Sequence, residues 1–276
     1  MAQAKPIEQL MFRHIVHHRL RITLALLCIA ALPVVLWWLG IERHPPPSEV
    51  FASGVLTVGI DPSTPPFGYL DADGQYAGID IDLAYLLAER LGLRVAFVPL
   101  SYDGIYDAVV TGRVDVALGA TSVDTTRANS DTRYTWGYFD DGLLLVSPPD
   151  APLRAGADLA HRTVAVEYGG MGDVEARRWT RRVHGVSIIP HPTTADALEA
   201  VRAGTAQAAI ADAVSVYAHR ARTGWYGHSV PLSSAYYAGV VRADRRAVLY
   251  HLNIALLSIL DETDQLAPLI ARHIDR

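Results

Sequence analysis

The stretch GVLTVGIDPSTPPFGYLDADGQYAGIDIDLAYLLAERLG, residues 54–92, changes its hydrophobic period partway along. Residues 55–60 form a short apolar run that reads as a strand, whereas Leu83, Leu86, Leu87 and Leu91 fall on one face of a helix over 81–91. Working outward, 94–98 reads as a second strand, 102–111 as a short helix stopped by Gly112, and 114–118 as a third, apolar strand. Apolar strands alternating with one-faced helices predict a parallel sheet covered by helices, an α/β fold. Ligands of such sheets sit at the carboxyl ends of the strands. That rule directs attention to three polar loops, residues 61–67, 101–103 and 119–127.

The alternation repeats downstream, with strands predicted over 163–166, 186–189 and 208–211 and helices over 174–182 and 194–203. Two further apolar segments, 142–147 (GLLLVS) and 236–241 (YYAGVV), would carry the chain out to this second unit and back, forming a hinge of two crossings. A last helix over 247–260 has no sheet of its own and is expected to pack on the first lobe. Lobe 1 is therefore predicted as 53–142 together with 238–276, and lobe 2 with its hinge strands as 143–237.

The chain has 276 residues, half of them apolar, enough for one large or two modest packed domains. A formal charge of -5 and scattered arginines give no basic field, so nucleic acid is not an expected partner. The single cysteine, Cys28, excludes an intramolecular disulfide and a cysteine-rich zinc site. Residues 22–40 (ITLALLCIAALPVVLWWLG) are uncharged and about as long as a bilayer-crossing helix. Arg13, Arg19 and Arg21 precede them, so the positive-inside bias makes 1–21 a cytoplasmic tail and the rest extracytoplasmic, with Trp37 and Trp38 at the outer interface. No small-x-small site follows Gly40, which favours an uncleaved single-pass anchor in the inner membrane over a signal peptide. Cys28 lies inside the apolar run after Leu27 and reads as a packing residue rather than a lipid site. His14, His17 and His18 share a helical face, yet beside arginines they read as polar flank, and no metal or cofactor is expected. Residues 41–52, with His44-Pro45-Pro46-Pro47-Ser48, are predicted to be a stiff, extended linker.

Four pieces in order, residues 54–92, 112–142 (GRVDVALGATSVDTTRANSDTRYTWGYFDDG), 162–170 (RTVAVEYGG) and 206–219 (AQAAIADAVSVYAH), resemble the bacterial family 3 solute-binding proteins. These are the polar amino-acid receptors of ABC importers, and the resemblance covers about residues 53–276. It implies a two-lobed fold of the periplasmic-binding-protein type II, a monomer in the periplasm, a small polar solute such as an amino acid, and an inner-membrane ABC permease as partner. Arg127 matches the arginine that clamps the ligand α-carboxylate, for which a planar guanidinium supplies two parallel bonds. Ser122 matches the hydroxyl that holds the same carboxylate, and Gly119 and Ala120 match small residues whose backbone faces the ligand. Asp212 matches the second-lobe carboxylate for the α-ammonium, and Asp61 another ligand-facing carboxylate. For both aspartates a helix cap or turn is the competing reading. Tyr102 matches an aromatic against the ligand's apolar part, and Thr64 stands where many relatives carry a second aromatic.

In the second lobe, residues 167–173 (EYGGMGD) match a glycine-bearing turn at a helix amino terminus, with Gly170 and Met171 where the family usually offers hydroxyls. Glu167 stands where glutamine receptors place a lysine, which points to a ligand side chain that is neutral or cationic. The resemblance also allows an enzyme of the cyclohexadienyl dehydratase type, because Gly169-Gly170 followed by Asp173 is similar to that enzyme's Gly-Gly-x-x-Glu. Asp173 would then be the general acid, with Glu167 beside it. Its pKa would have to be raised by burial to hold a proton near neutrality. A helix-favoured acid in the first turn is the simpler reading of Asp173.

Overall fold

Strands that are apolar on both faces need helices above and below them, and the computed structural model of this chain meets that need twice. It describes residues 29–31, 44–124, 131–261 and 266–274. Residues 46–276 form one unit, and 1–45 a separate one of which only 29–31 and 44–45 are described. The predicted tail, 1–21, and the predicted span, 22–40 apart from 29–31, lie outside the described residues. Among the described residues no helix is long and apolar enough to cross a membrane. The linker expected to be extended over 41–52 departs from that expectation. Pro46 is extended, but it opens a one-turn helix, α1 (Pro47–Val50), after which Phe51 is buried in the first-lobe core. A proline in the first turn lacks only an N–H that would be unpaired there anyway, so it can start a helix as readily as prevent one.

In chain order the first lobe contains β1 (Val55–Ile60), a small hairpin of β2 (Tyr69–Leu70) and β3 (Tyr76–Ala77), and α2 (Ile79–Leu91). These are followed by β4 (Arg94–Pro99), a 3-10 turn (Tyr102–Gly104) leading into α3 (Ile105–Val110), β5 (Val116–Leu118) and β6 (Thr132–Asp140). The second lobe runs β7 (Leu143–Ser147), β8 (Thr163–Glu167), α4 (Met171–Thr180), β9 (Ser187–His191) and α5 (Thr194–Arg202). It ends with β10 (Ala208–Asp212), α6 (Ala213–Thr223) and β11 (His228–Pro231). The chain then returns through β12 (Tyr236–Arg242), α7 (Arg246–Asp261) and α8 (Leu266–Ile274).

The first sheet has the order β4-β1-β5-β12-β6, in which β4, β1 and β5 are parallel and β12 runs against both its neighbours. The second has the order β11-β7-β10-β8-β9, with β10, β8 and β9 parallel and β7 antiparallel to β10 and β11. Alternate residues of one strand feed opposite layers. In β5, Val116 and Leu118 join a core with Leu56, Val58 and the α7 residues Leu252, Leu256 and Ile259, while Ala117 joins Ile105, Ala108 and Val109 of α3. In β10, Ala208 and Ile210 face a core shared with Ala176 of α4, and Ala209 and Ala211 one shared with Leu198 and Val201 of α5. Each fully buried leucine or isoleucine in these layers contributes roughly 1.5–3 kcal/mol.

Two segments join the lobes, 141–142 between β6 and β7 and 232–235 between β11 and β12. They are bonded to each other: Asp141 N–H donates to Ala235 O at 3.0 Å, Leu232 N–H to Leu143 O at 2.8 Å, and Leu143 N–H to Ser233 Oγ at 3.1 Å. Asp140 Oδ1 accepts from both Gly142 N–H at 3.0 Å and Ala235 N–H at 2.8 Å. The contact is close enough that a Cβ on Gly142 would stand 2.0 Å from the Ser233 carbonyl oxygen.

Candidate functional site

The parallel register aligns Ile60 of β1 with Pro99 of β4 and with Leu118 of β5, so the loops leaving all three strands emerge at one edge of the first sheet. Those loops carry Asp61, Thr64, Tyr102, Gly119, Ala120 and Ser122, and continue toward Arg127, which lies outside the described residues. Asp61 is buried, and its Oδ1 accepts from Ser63 N–H at 2.9 Å and from the Ser63 hydroxyl at 2.6 Å. The turn reading of Asp61 is therefore the geometry present. Thr64 Oγ1 donates to the Asp61 carbonyl at 3.0 Å, which closes the same loop. Tyr102 is half exposed on the 3-10 turn.

At the end of β5 the chain turns sharply. Gly119 packs closely, since a Cβ would stand 2.8 Å from Ile105 Cδ1 and that side chain would have to shift. Ala120 takes the left-handed φ of 46°, which costs a residue with a Cβ roughly 1–2 kcal/mol. Its N–H does not face open space; it donates to Asp80 Oδ2 at 2.9 Å. Ser122, exposed, then pairs with Tyr237 of β12. Asp80 also accepts from the Tyr138 hydroxyl at 2.6 Å. Burial pushes its pKa up to about 6, against the lowering effect of the bonds from Tyr138 and Ala120.

The second-lobe residues converge more directly. Glu167, Gly170, Met171 and Asp212 line one cavity of about 240 Å³, together with Asp141 and Thr194. Asp212 ends β10 and caps α6, its Oδ1 accepting from Ser215 N–H at 2.8 Å. Cap and cavity wall are the same side chain here. Glu167 ends β8, and its Oε2 accepts from the Thr194 hydroxyl at 2.5 Å. Gly169 has φ +74°, and Gly172 lets α4 start against β10, since a Cβ there would meet Ile210 O at 2.2 Å.

Asp141 was not among the residues expected from the sequence. Its Oδ1 accepts from Val214 N–H of α6 at 2.9 Å and its Oδ2 from the Tyr237 hydroxyl of β12 at 2.6 Å, so one carboxylate at the hinge joins both lobes and faces the cavity. Burial raises its pKa, opposed by those two bonds and reinforced by the charges of Asp212 and Asp140. Burial and the bond to Asp141 likewise raise the Tyr237 phenol.

Asp173 stands apart from this group. It is buried, lines no part of the cavity, and receives Gly169 N–H at 3.1 Å and a two-pronged contact from Arg177, with Nε at 2.9 Å and Nη2 at 3.1 Å. Although burial alone would raise its pKa, the Arg177 and Gly169 bonds and the Arg177 charge bring it below the ordinary value. A general acid holds its proton when its pKa is raised, and the pairing with Arg177 acts in the opposite direction. Because the folded pKa is depressed, the stabilisation is present above the unfolded value and lost as pH falls through the folded one. Arg177→Ala should therefore lower stability at pH 7 by up to about 1 kcal/mol and by less at pH 3, as measured by urea titration.

A second cavity, of about 490 Å³, lies between β6, α6 and α8, lined by residues including Phe139, Tyr217, Tyr226 and Ile270. It is larger but touches none of the expected residues that are described, and it is not at the carboxyl ends of the parallel strands. The smaller cavity is the one the topology selects.

Comparison with known proteins agrees with the two-lobed α/β architecture. The family model for bacterial extracellular solute-binding proteins, family 3, matches residues 56–273. Among individual relatives, a cyclohexadienyl dehydratase of Pseudomonas aeruginosa is 27% identical over 207 residues, covering 74% of this chain and 72% of its own. The L-arginine-binding protein of the same organism is 27% identical over 162 residues, covering 58% of this chain and 62% of its own. Among solved structures, the unliganded open L-cystine receptor of Neisseria gonorrhoeae shares the fold, with a TM-score of 0.73 at 20% identity, covering 83% of this chain and 98% of that one. With a two-lobed α/β architecture and the family match spanning both lobes, the chain belongs to the bacterial extracellular solute-binding proteins, family 3.

Proposed function

We propose that the chain is an anchored extracytoplasmic receptor that closes its two lobes over a cationic amino acid and delivers it to an ABC permease of the inner membrane. The observation that carries this reading is the charge of the second-lobe cavity. Asp141, Glu167 and Asp212 line it, and among the described residues no lysine, arginine or histidine does. Carboxylates sharing a site repel one another unless a cation joins them. A ligand with an α-ammonium and a second positive group would supply what the cavity lacks. In this reading Arg127 and Ser122 of the first lobe take the α-carboxylate and Asp212 the α-ammonium. Glu167 and Asp141 take the side-chain cation, and residues 22–40 hold the receptor at the membrane. Closure follows because the ligand binds the closed form better than the open one.

The dehydratase similarity makes an elimination reaction on a prephenate-like acid the second reading. The environment of Asp173 weighs against it, and so does an acidic cavity facing an anionic substrate. A thermal-shift panel separates the two. L-arginine and L-lysine are expected to raise Tm, since a ligand at a hundredfold its Kd adds roughly 2.7 kcal/mol to the folded state. L-glutamate and prephenate should leave Tm unchanged, and prephenate should yield no aromatic product. Stabilisation by L-glutamate or prephenate alone would overturn the cationic assignment.

A further inference from the structure

The first lobe contains a buried carboxylate that the solute itself does not need to touch. Asp80 is the second residue of α2 and is 1% exposed. Its two oxygens reach in different directions, Oδ2 to Ala120 N–H and Oδ1 to the Tyr138 hydroxyl. Ala120 is the left-handed residue at which the chain leaves β5. Immediately beyond it, Thr121 O accepts from Ala238 N–H at 3.0 Å and Val123 N–H donates to Tyr236 O at 2.8 Å. The direction in which Ser122 leaves the sheet is thus set on one side by β12 and on the other by Asp80. Tyr138 lies on β6, two residues before Asp140, where the hinge bonds begin.

We infer that Asp80 is a positioning residue for solute binding: its carboxylate fixes the strained turn of the ligand loop at Ala120 to the strand that feeds the hinge at Tyr138. The inference rests on the solute-binding reading for its purpose, but its physical content is the link between loop and hinge strand. The ionised carboxylate accepts from both groups at once, whereas protonation turns one of its oxygens into a donor that competes with the Tyr138 hydroxyl. Lowering the pH through about 6 therefore weakens the link. Among the described residues, the Tyr138 phenol of β6 bonds to Asp80 and the Tyr237 phenol of β12 feels its charge, and burial raises the pKa of each.

Stability and loop order should then respond to pH in opposite senses. Because the folded pKa of Asp80 lies above its ordinary 3.8, its contribution to stability grows as pH falls from above 6 toward that value. Its hold on Ala120 diminishes over the same window. A group that merely filled space would not separate the two.

The test is hydrogen exchange read by mass spectrometry on the full chain, following peptides that cover residues 116–124, for wild type, Asp80→Asn and Tyr138→Phe at pH 7.5 and 5.0, corrected for intrinsic rates. At pH 7.5 both variants should exchange this segment about tenfold faster than wild type, the size of one charge-assisted hydrogen bond. At pH 5.0 wild type should approach the variants while its Tm rises relative to Asp80→Asn. L-arginine affinity should fall in the same order. Exchange that is identical in all three proteins at both pH values, or that follows Tm alone, overturns the inference. Tyr138→Phe keeps the test decisive if Asp80→Asn does not fold. If no variant, wild type included, binds L-arginine while the exchange pattern holds, the solute class is wrong and the positioning role stands.

Discussion

Gly142→Ala should lower folding stability by about 3 kcal/mol, moving the urea midpoint by roughly 1 M. The methyl group would lie 2.0 Å from Ser233 O, 2.7 Å from Ser233 C and 2.7 Å from Ser234 Cα, all of them backbone atoms with no rotamer to escape into. Moving the opposing segment away would break the bonds that hold it, Leu143 N–H to Ser233 Oγ and Asp141 N–H to Ala235 O. The conformation of Gly142 itself is not the obstacle, because its φ is not in the left-handed region. Gly104→Ala is the matched control, since its new Cβ would approach only Ser101 Oγ at 3.3 Å, and it should change stability by less than about 0.5 kcal/mol. Equal midpoints for the two variants would show that the crossing segments do not pack as described.

Asp212→Ala should weaken binding of L-arginine by about a hundredfold to a thousandfold, the usual result of truncating one partner of a buried, hydrogen-bonded charge pair. The same substitution removes the cap on α6 and should cost roughly 0.5–2 kcal/mol of stability. Asp212→Ser separates these effects. A serine can still accept from Ser215 N–H but carries no charge, so stability should stay near wild type while affinity falls almost as far as in the alanine variant. Calorimetric titration with L-arginine and urea titration of both variants make the comparison. Binding by Asp212→Ser equal to wild type would reduce Asp212 to a capping residue.

The strands of the two parallel layers were legible in the sequence because burial on both faces leaves continuous apolar runs, as in residues 55–60 and 208–211. The helix predicted over 247–260 was also legible, found as α7 over Arg246–Asp261 and packed into the first-lobe core, but it is not the last one, since α8 follows it. What escaped was short or internally polar. β2 and β3 have two residues each, too few for a period. α6 interleaves His219, Arg220 and Arg222 with its apolar residues, and α8 carries Pro268 in its first turn. Within the site, Glu167, Gly170, Met171 and Asp212 could be expected from the family resemblance, and they lie together on one cavity. Asp141 sits in Phe-Asp-Asp-Gly, a string that reads as a turn, and its bonds to Val214 and Tyr237 arise only when distant segments meet. Asp80 is hidden for a related reason. An acid in a helix's first turn has a sufficient local explanation, so nothing in the sequence signals that it is buried against Tyr138.

The position of β12 bears on how the molecule is assembled during synthesis. β12 lies between β5 and β6, although it follows them by about a hundred residues, so β6 has no partner in its sheet until residues 236–242 have emerged. The intervening stretch, 143–231, contains every strand of the other sheet and is uninterrupted. That lobe can therefore condense first as the nascent chain lengthens, while its neighbour waits as an incomplete sheet with a bare edge, exposed to misassociation until the final segment inserts.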